Sequence, residues 1–361
     1  MRIVVVGTRG IPNILGGVET HCEELYPRLV KLGCEVILVR RSCYVTPDNL
    51  LSEYKGVKLH DLYAPRKKSI EAIIHTILAI CYAKKISADI LHIHAVGPSL
   101  LVPFARLLGL KVVMTHHGPD YDRKKWSKWA KRIIKIGEKM GVKYSNQVIV
   151  ISNVINDILK KEYNRTDTHL IYNGVTTPQK SSQTDYIESI GLKTRKYVLA
   201  LGRFVEEKGF DGLVRTFIKA NIAGYKLVLA GDADHENEYS LNLKKLAKDN
   251  GVVLTGFIKG EKLNQILTNA CLFVLPSSHE GLPISLLEAM SYGLDVLVSD
   301  IPANLELHLT NSDYFSCFDW DDLQVKLIKK ITINDTLVQY NLLPYDWDYI
   351  AEQVNKVYQL I

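Results

Sequence analysis

The chain has 361 residues, 47% hydrophobic and 23% charged, with a formal net charge of +6. This is an ordinary globular composition on a chain longer than one hydrophobic core usually supports, so two domains are expected. The mild positive charge gives little support to nucleic-acid binding, so no nucleic-acid partner is expected, while attraction to phosphate or anionic lipid stays open. Six cysteines, scattered from Cys22 to Cys317 without CxxC pairs, argue against structural zinc and a disulfide framework and point to a reduced, cytoplasmic protein.

The apolar run Ile3 to Val6 is too short for a signal-peptide core and well shaped for a buried strand. The run Ile70 to Tyr82 carries Glu71 and His75 and falls short of the roughly 20 residues of a spanning helix, so it reads as a helix of a soluble protein. After Ile3–Val6 comes a helical pattern from Val18 to Leu32, then strands at Glu35–Val39, Ile90–His94, Lys111–Thr115, Gln147–Ile151 and His169–Tyr172, with a helix from Val154 to Tyr163. That alternation predicts a parallel sheet wrapped by helices. Thr176 to Thr194 is polar and aperiodic and reads as a linker.

The rhythm then restarts. Strands are expected at Tyr197–Leu201, Lys226–Ala230, Val252–Thr255, Leu272–Leu275 and Val296–Ser299, with helices near Gly209–Ala220, Tyr239–Asp249, Glu261–Ala270 and Pro283–Tyr292. The expected division is 1–175, linker 176–194, 195–345, and a last helix over 346–361 that crosses back to the first domain. The fold class is α/β: two Rossmann-like lobes with parallel sheets and a ligand cleft between them at the strands' carboxyl ends.

In the second lobe, strand Leu272–Leu275 leads into a turn ending at Pro283, where a helix starts without needing an N–H. The backbone N–H groups of Ile284 and Ser285 then form an anion site suited to a diphosphate. Glu280 at the helix mouth and Glu288 inside it suit sugar and ribose hydroxyls, against a plainer reading as turn cap and surface charge. Arg203 and Lys208 follow the lobe's first strand inside a glycine-bracketed loop and together suit a departing diphosphate.

At the N-terminus, Gly16 and Gly17 open the first helix and can face a phosphate. The loop is not G-x-G-x-x-G, and the second strand ends in Arg40 and Arg41 where a dinucleotide enzyme usually places an acid, so a dehydrogenase is a weak reading. His117, followed by Gly118 at a strand end, suits a hydrogen bond to the transferred sugar; His116 does so less. Asp232 and Asp234 form a D-x-D, discounted as a metal site in favour of capping the next helix, because the Arg–Lys pair already supplies positive charge.

Taken in order, Gly16-Gly17-Val18-Glu19, His117-Gly118, Asn173-Gly174-Val175, Gly202-Arg203 with Lys208-Gly209, Ala230-Gly231-Asp232, Gly256-Phe257, and Glu280 to Glu288 with Ala289-Met290 and Gly293 resemble the family-4 retaining glycosyltransferases of the GT-B fold. The resemblance spans nearly the whole chain. It implies that Arg203, Lys208, Ile284 and Ser285 hold a donor diphosphate, Glu280 contacts the donor sugar, Glu288 the ribose, and Gly256 and Phe257 the base. Gly16 and Gly17 would close on the diphosphate or acceptor. The stretch Gly7-Thr8-Arg9-Gly10-Ile11-Pro12, with His116-His117-Gly118-Pro119-Asp120 and Arg123 to Trp126, resembles a rhamnosyl-transferring subgroup of bacterial polysaccharide assembly.

No carboxylate pair straddling an anomeric carbon is evident, as hydrolysis would require. The resemblance implies an enzyme that takes a nucleotide-diphosphate sugar as donor and a glycan or lipid-diphosphate-linked acceptor, and with Arg203, Lys208 and the helix terminus in the role of a metal it is expected to need neither metal nor other cofactor. Alternatives on the same fold are a sugar-nucleotide epimerase or hydrolase, or a silent glycan-binding subunit. Finally, Arg123 to Lys143 holds nine Lys and Arg against Glu138 alone. Trp126, Trp129, Ile133, Ile136 and Met140 make a helical stripe expected to pack into the first lobe, leaving a basic face for an anionic membrane surface.

Overall fold

The computed structural model describes residues 1–66, 70–119, 121, 127–234, 236–333 and 337–361. It divides into two compact units, Met1–Gly174 with Pro344–Ile361, and Val175–Leu343.

The first unit runs β1 (Arg2–Val6), α1 (Gly17–Lys31), β2 (Glu35–Arg41), β3 (Glu53–Tyr54), β4 (Val57–Leu62), α2 (Glu71–Lys85), β5 (Ile90–His94), α3 (Val102–Leu107), β6 (Val112–His116), α4 (Lys128–Tyr144), β7 (Gln147–Val150), α5 (Asn153–Tyr163) and β8 (Thr168–Leu170). Its sheet has the order β3-β4-β2-β1-β5-β6-β7-β8, parallel throughout except for the β3–β4 hairpin. β1, β5 and β6 are buried on both faces almost throughout, the usual sign of a central parallel strand, although β5 carries His92 and His94 and β6 Thr115 and His116.

The second unit runs α6 (Asp185–Ser189), β9 (Tyr197–Leu201), α7 (Phe210–Ala220), β10 (Lys226–Ala230), α8 (Glu238–Asp249), β11 (Val253–Gly256), α9 (Gly260–Asn269), β12 (Leu272–Leu275), α10 (Ile284–Ser291), β13 (Asp295–Ser299), α11 (Pro302–Leu305), β14 (Tyr314–Phe315) and α12 (Trp320–Ile333). The sheet order is β11-β10-β9-β12-β13-β14, all pairs parallel. The stretch read as a linker is partly folded. α6 lies within it, held to α9 by Gln265, whose side chain accepts from the Tyr186 N–H at 2.9 Å and donates to Asp185 at 2.8 Å.

The last helix, α13 (Trp347–Gln359), belongs to the first unit. Asp346 caps it by accepting from the N–H groups of Asp348 and Tyr349. Trp347, Ile350, Ala351, Val354, Val357 and Tyr358 recur at three- and four-residue steps and bury against Cys22, Leu25, Tyr26 and Leu29 of α1. A Cβ on Gly174 would lie 2.5 Å from the Trp347 ring, so the helix seats directly on the chain's exit from the first sheet.

α4 corrects the sequence expectation. Its apolar stripe does not pack inward: Trp129, Ile133 and Ile136 are exposed, and Trp126 lies outside the described residues. The buried side carries Gly137, Glu138, Gly141 and Val142. A Cβ on Gly137 would stand 2.4 Å from the Val96 carbonyl oxygen, and one on Gly141 2.5 Å from the Met114 sulfur. The helix backbone thus presses on the lobe through its glycines and turns Trp129, Ile133 and Ile136 to solvent, with Met140 half-buried.

Candidate active site

Four neighbouring parallel strands of the second unit, β11, β10, β9 and β12, end at one edge of their sheet. The segments leaving them carry Gly256-Phe257, Gly231 to Asp234, Gly202 to Lys208, and Pro276 to Glu280. Backbone bonds lace the last three together. Phe204 N–H donates to Asp232 O at 3.0 Å, and Ser278 N–H to Glu207 O at 2.8 Å. Gly209 adopts φ +63°, and a Cβ there would lie 2.6 Å from Pro276 O, so the turn that delivers Lys208 requires glycine.

At this edge the charged side chains are already paired. Lys208 Nζ donates to Glu280 Oε1 at 2.6 Å, and Arg203 Nη1 to Asp234 Oδ2 at 2.8 Å. All four are 13–20% exposed. The Asp232-Ala233-Asp234 segment does not present two carboxylates to one cation: Asp232 pairs with Lys244 at 2.7 Å while Asp234 meets Arg203. Nor does either aspartate cap α8. That role falls to Asn237, which accepts from the Ser240 N–H at 2.8 Å, because it stands one residue before the helix.

α10 starts after Pro283 with no side-chain cap, and its first backbone bond runs from Leu286 to Pro283. The N–H groups of Ile284 and Ser285 therefore have no acceptor inside the helix. Glu288 is half-buried one turn further in, close enough to Tyr292 to help burial raise that phenol to about 12. Phe257 is exposed just beyond Gly256, with Lys259 Nζ 5.7 Å over its ring.

In the first unit, Gly16 precedes α1 and Gly17 begins it, again with no side-chain cap. The loop before them is braced by Glu19, which accepts from Arg9 N–H at 3.0 Å, Thr8 Oγ1 at 3.2 Å and the Arg9 guanidinium at 3.1 Å. Burial pushes this carboxyl up, but the charge and hydrogen bonds of Arg9 outweigh it and hold it below the usual range.

His116 is fully occupied. Its Nε2 meets Glu138 Oε1 at 2.7 Å, its Nδ1 accepts from Gly118 N–H at 3.1 Å, and Tyr163 donates to the other Glu138 oxygen at 2.5 Å. His117 is half-buried and leans into a cluster of imidazoles that the sequence did not announce. His94 Nδ1 lies 2.8 Å from His117 Nε2, and the rings stack at 5.1 Å. Tyr26 bonds His94 Nε2 and lies 3.1 Å from His92 Nδ1. Tyr358 reaches that same nitrogen at 2.6 Å, and Thr115 Oγ1 meets His92 Nε2 at 2.7 Å. His21 stands edge-on to His117 at 4.9 Å.

Burial keeps these rings uncharged: it lowers His21 to about 4 and His92 to about 3, and neighbouring imidazoles reinforce it at His94 and His117. Among the described residues, His21, His94 and His117 are the one grouping with donor atoms close enough to share a cation, within 4.8 Å of one another.

Residues 15–179 match the model of Glycosyltransferase Family 4, and residues 182–340 that of Glycosyl transferases group 1. An uncharacterized glycosyltransferase of Methanocaldococcus jannaschii is 25% identical, covering 100% of this chain and 98% of its own. The UDP-Gal:alpha-D-GlcNAc-diphosphoundecaprenol alpha-1,3-galactosyltransferase of Escherichia coli is 31% identical, covering 61% of this chain and 60% of its own. Among solved structures, HepE of Anabaena in complex with UDP-glucose superposes with a TM-score of 0.82 at 16% identity over 100% of both chains. Sucrose-phosphate synthase from Thermosynechococcus elongatus gives 0.81 at 20% identity over 99% of this chain and 98% of its own. The structural likenesses establish the GT-B fold.

Proposed function

We propose that this chain, which belongs to the glycosyltransferases with a Family 4 first lobe and a group 1 second lobe, is a retaining, metal-independent enzyme of surface polysaccharide assembly. It moves a hexosyl or deoxyhexosyl unit, rhamnose in our reading, from a nucleoside-diphosphate donor to a glycan or lipid-diphosphate-linked acceptor. The observation that carries the reading is the 2.6 Å contact of Lys208 with Glu280. It sets a cation for the departing phosphate against a carboxylate for a sugar hydroxyl.

In this reading Arg203, Lys208 and the N–H groups of Ile284 and Ser285 hold the diphosphate, Glu288 the ribose, and Gly256 and Phe257 the base. Gly16 and Gly17 offer the α1 amides to phosphate or acceptor, and His117 hydrogen-bonds the transferred sugar. The acceptor oxygen forms its bond to the anomeric carbon as the bond to the diphosphate oxygen breaks on the same face. The hydroxyl proton passes to that leaving phosphate oxygen. Arg203 and Lys208 stabilise the charge that develops there, the task a divalent cation performs elsewhere. The Escherichia coli relative is named for a UDP-Gal donor and a diphosphoundecaprenol acceptor, and HepE was solved with UDP-glucose; both fit this reading.

We also assign the outward face of α4 to reversible attachment on an anionic membrane surface. No helix among the described residues is long and apolar enough to cross a membrane.

A thermal-shift panel of UDP-, GDP-, dTDP- and ADP-sugars, run in EDTA, tests the donor reading. One nucleotide class should raise the melting temperature in proportion to occupancy. No shift with any of them, or a shift and turnover that appear only when Mg²⁺ or Mn²⁺ is restored, overturns it.

A further inference from the structure

The hydrogen bonds around His117 have a direction. His92 Nδ1 faces two hydroxyls, Tyr358 at 2.6 Å and Tyr26 at 3.1 Å, and a ring nitrogen makes one such bond at a time. The shorter contact takes it. Burial raises both phenols well above their ordinary range, so each keeps its hydrogen. Tyr26 then has the Tyr358 hydroxyl and His94 Nε2 left to meet; the close contact is to His94 Nε2, and Tyr26 donates there. A neutral imidazole that accepts at Nε2 carries its hydrogen on Nδ1, and His94 Nδ1 lies 2.8 Å from His117 Nε2.

His21 supplies no rival hydrogen. Its Nδ1 faces Asn173 Oδ1 at 3.0 Å, an oxygen able only to accept, so Nδ1 is the protonated atom and Nε2 a bare lone pair, buried with no partner among the described residues. The groups around His117 are thus His21 from α1, His94 and His92 from β5, His116 with its Glu138 from α4, and Trp347 and Tyr358 from α13.

We infer that His94 is the positioning residue for His117: Tyr358 occupies His92 Nδ1, which frees Tyr26 to donate to His94 Nε2, and His94 in turn donates from Nδ1 to His117 Nε2, leaving His117 with its own hydrogen on Nδ1, offered as a donor. The returning helix α13 takes part in the site through the Tyr358 hydroxyl. The inference rests on the reading of His117 as a sugar contact. An N–H donor there meets a hydroxyl oxygen of the transferred sugar, whereas the opposite tautomer would present a lone pair.

The tautomer is measured directly, on active wild-type protein, from the ¹⁵N shifts of labelled histidine, with the His117 signal identified by its loss in His117→Asn. A hydrogen on Nδ1 is expected; a hydrogen on Nε2 overturns the inference whatever the activity. So does a stoichiometric transition metal in the purified protein, because a cation shared by His21, His94 and His117 would occupy the lone pairs the chain uses. Kinetics supply the second arm. His94→Ala should lower kcat on the order of ten-fold, the worth of one hydrogen bond, with donor KM nearly unchanged. His94→Asn, whose amide nitrogen stands near Nδ1, should recover most of that loss, and Tyr358→Phe should fall between them. Equal losses in His94→Ala and His94→Asn overturn the positioning role. If the tautomer is as assigned while His117→Ala keeps full kcat, the sugar-contact reading of His117 fails and the hydrogen-bond assignment stands.

Discussion

The second lobe keeps its polar chemistry as charge, and the first lobe keeps its own as neutral rings. Lys208–Glu280 and Arg203–Asp234 are ion pairs that keep 13–20% of their side-chain surface exposed, so a ligand can reach them. His21, His92 and His94 are sealed from water and held uncharged by burial, with hydrogen bonds that run from ring to ring. A diphosphate needs cations; sugar hydroxyls need directed donors and acceptors. In the proposed reading the two arrangements divide those tasks.

The largest test of that division falls on the charged lobe. Arg203→Ala or Lys208→Ala should lower turnover about 100- to 1000-fold, by analogy with loss of a preorganised electrostatic donor, and weaken nucleoside-diphosphate binding as well. Steady-state kinetics with the donor found in the thermal-shift panel reads both effects. Turnover at the wild-type level in either variant removes the pair from the mechanism.

The neutral lobe should respond to acid instead. His21 and His92 are pushed down to about 4 and about 3, against an ordinary value near 6.5 in the unfolded chain. Below pH 6.5 the unfolded state takes up protons that the folded state refuses. Stability is therefore intact above that pH and falls as pH drops toward 4, by at most about 1.4 kcal/mol per pH unit for each such ring. Glu138 adds nothing in this window: its lowered carboxyl contributes stability above the ordinary carboxylate range and loses it only at lower pH. Urea unfolding at pH 7.5 and 5.5, followed through Trp347 in the first lobe and Trp320 in the second, should show the Trp347 transition moving to lower urea by more than the Trp320 transition. Equal movement of both would mean the histidine cluster does not titrate as its burial demands.

Much of this was legible in the chain itself. Ile3–Val6 and Leu272–Leu275 are apolar runs that only a covered strand explains, and Glu280 at the mouth of a Pro-started helix with Glu288 inside it follows from spacing alone. What stayed hidden depends on contacts between distant residues. Arg203 meets Asp234 across 31 positions and Lys208 meets Glu280 across 72. The imidazole chain exists because β5 and β6 are neighbours and α13 returns, which no local pattern announces. The edge pair β3 and β4 escaped because Val57–Leu62 is mostly half-exposed and lacks an apolar run. α4 misled for a sharper reason: its inward face is made by Gly137 and Gly141, which have no side chain for periodicity to count.

That reversal bears on the smallest predicted effect. With Trp129 73% exposed, Ile133 47% and Ile136 49%, the outward face of α4 is apolar along one stripe and cationic beside it. Lys128, Lys131, Arg132, Lys139 and Lys143 flank the stripe, while Lys135 is engaged with Glu162 at 2.9 Å; Arg123, Lys124 and Lys125 lie outside the described residues. A helix of this kind lies in the plane of a membrane, its apolar side chains among the headgroups and its cations on anionic lipid. Each cation would contribute roughly 1 kcal/mol close to the surface, less once salt screens it, so the proposed attachment would be reversible. Co-sedimentation with anionic vesicles should weaken as salt rises and fall when Lys128, Lys131, Lys139 and Lys143 are changed together to Gln. Trp129→Ala should remove the part that survives high salt. Equal sedimentation with neutral and anionic vesicles, or none with either, would rule out electrostatic docking through α4 while leaving the transfer chemistry of the second lobe untouched.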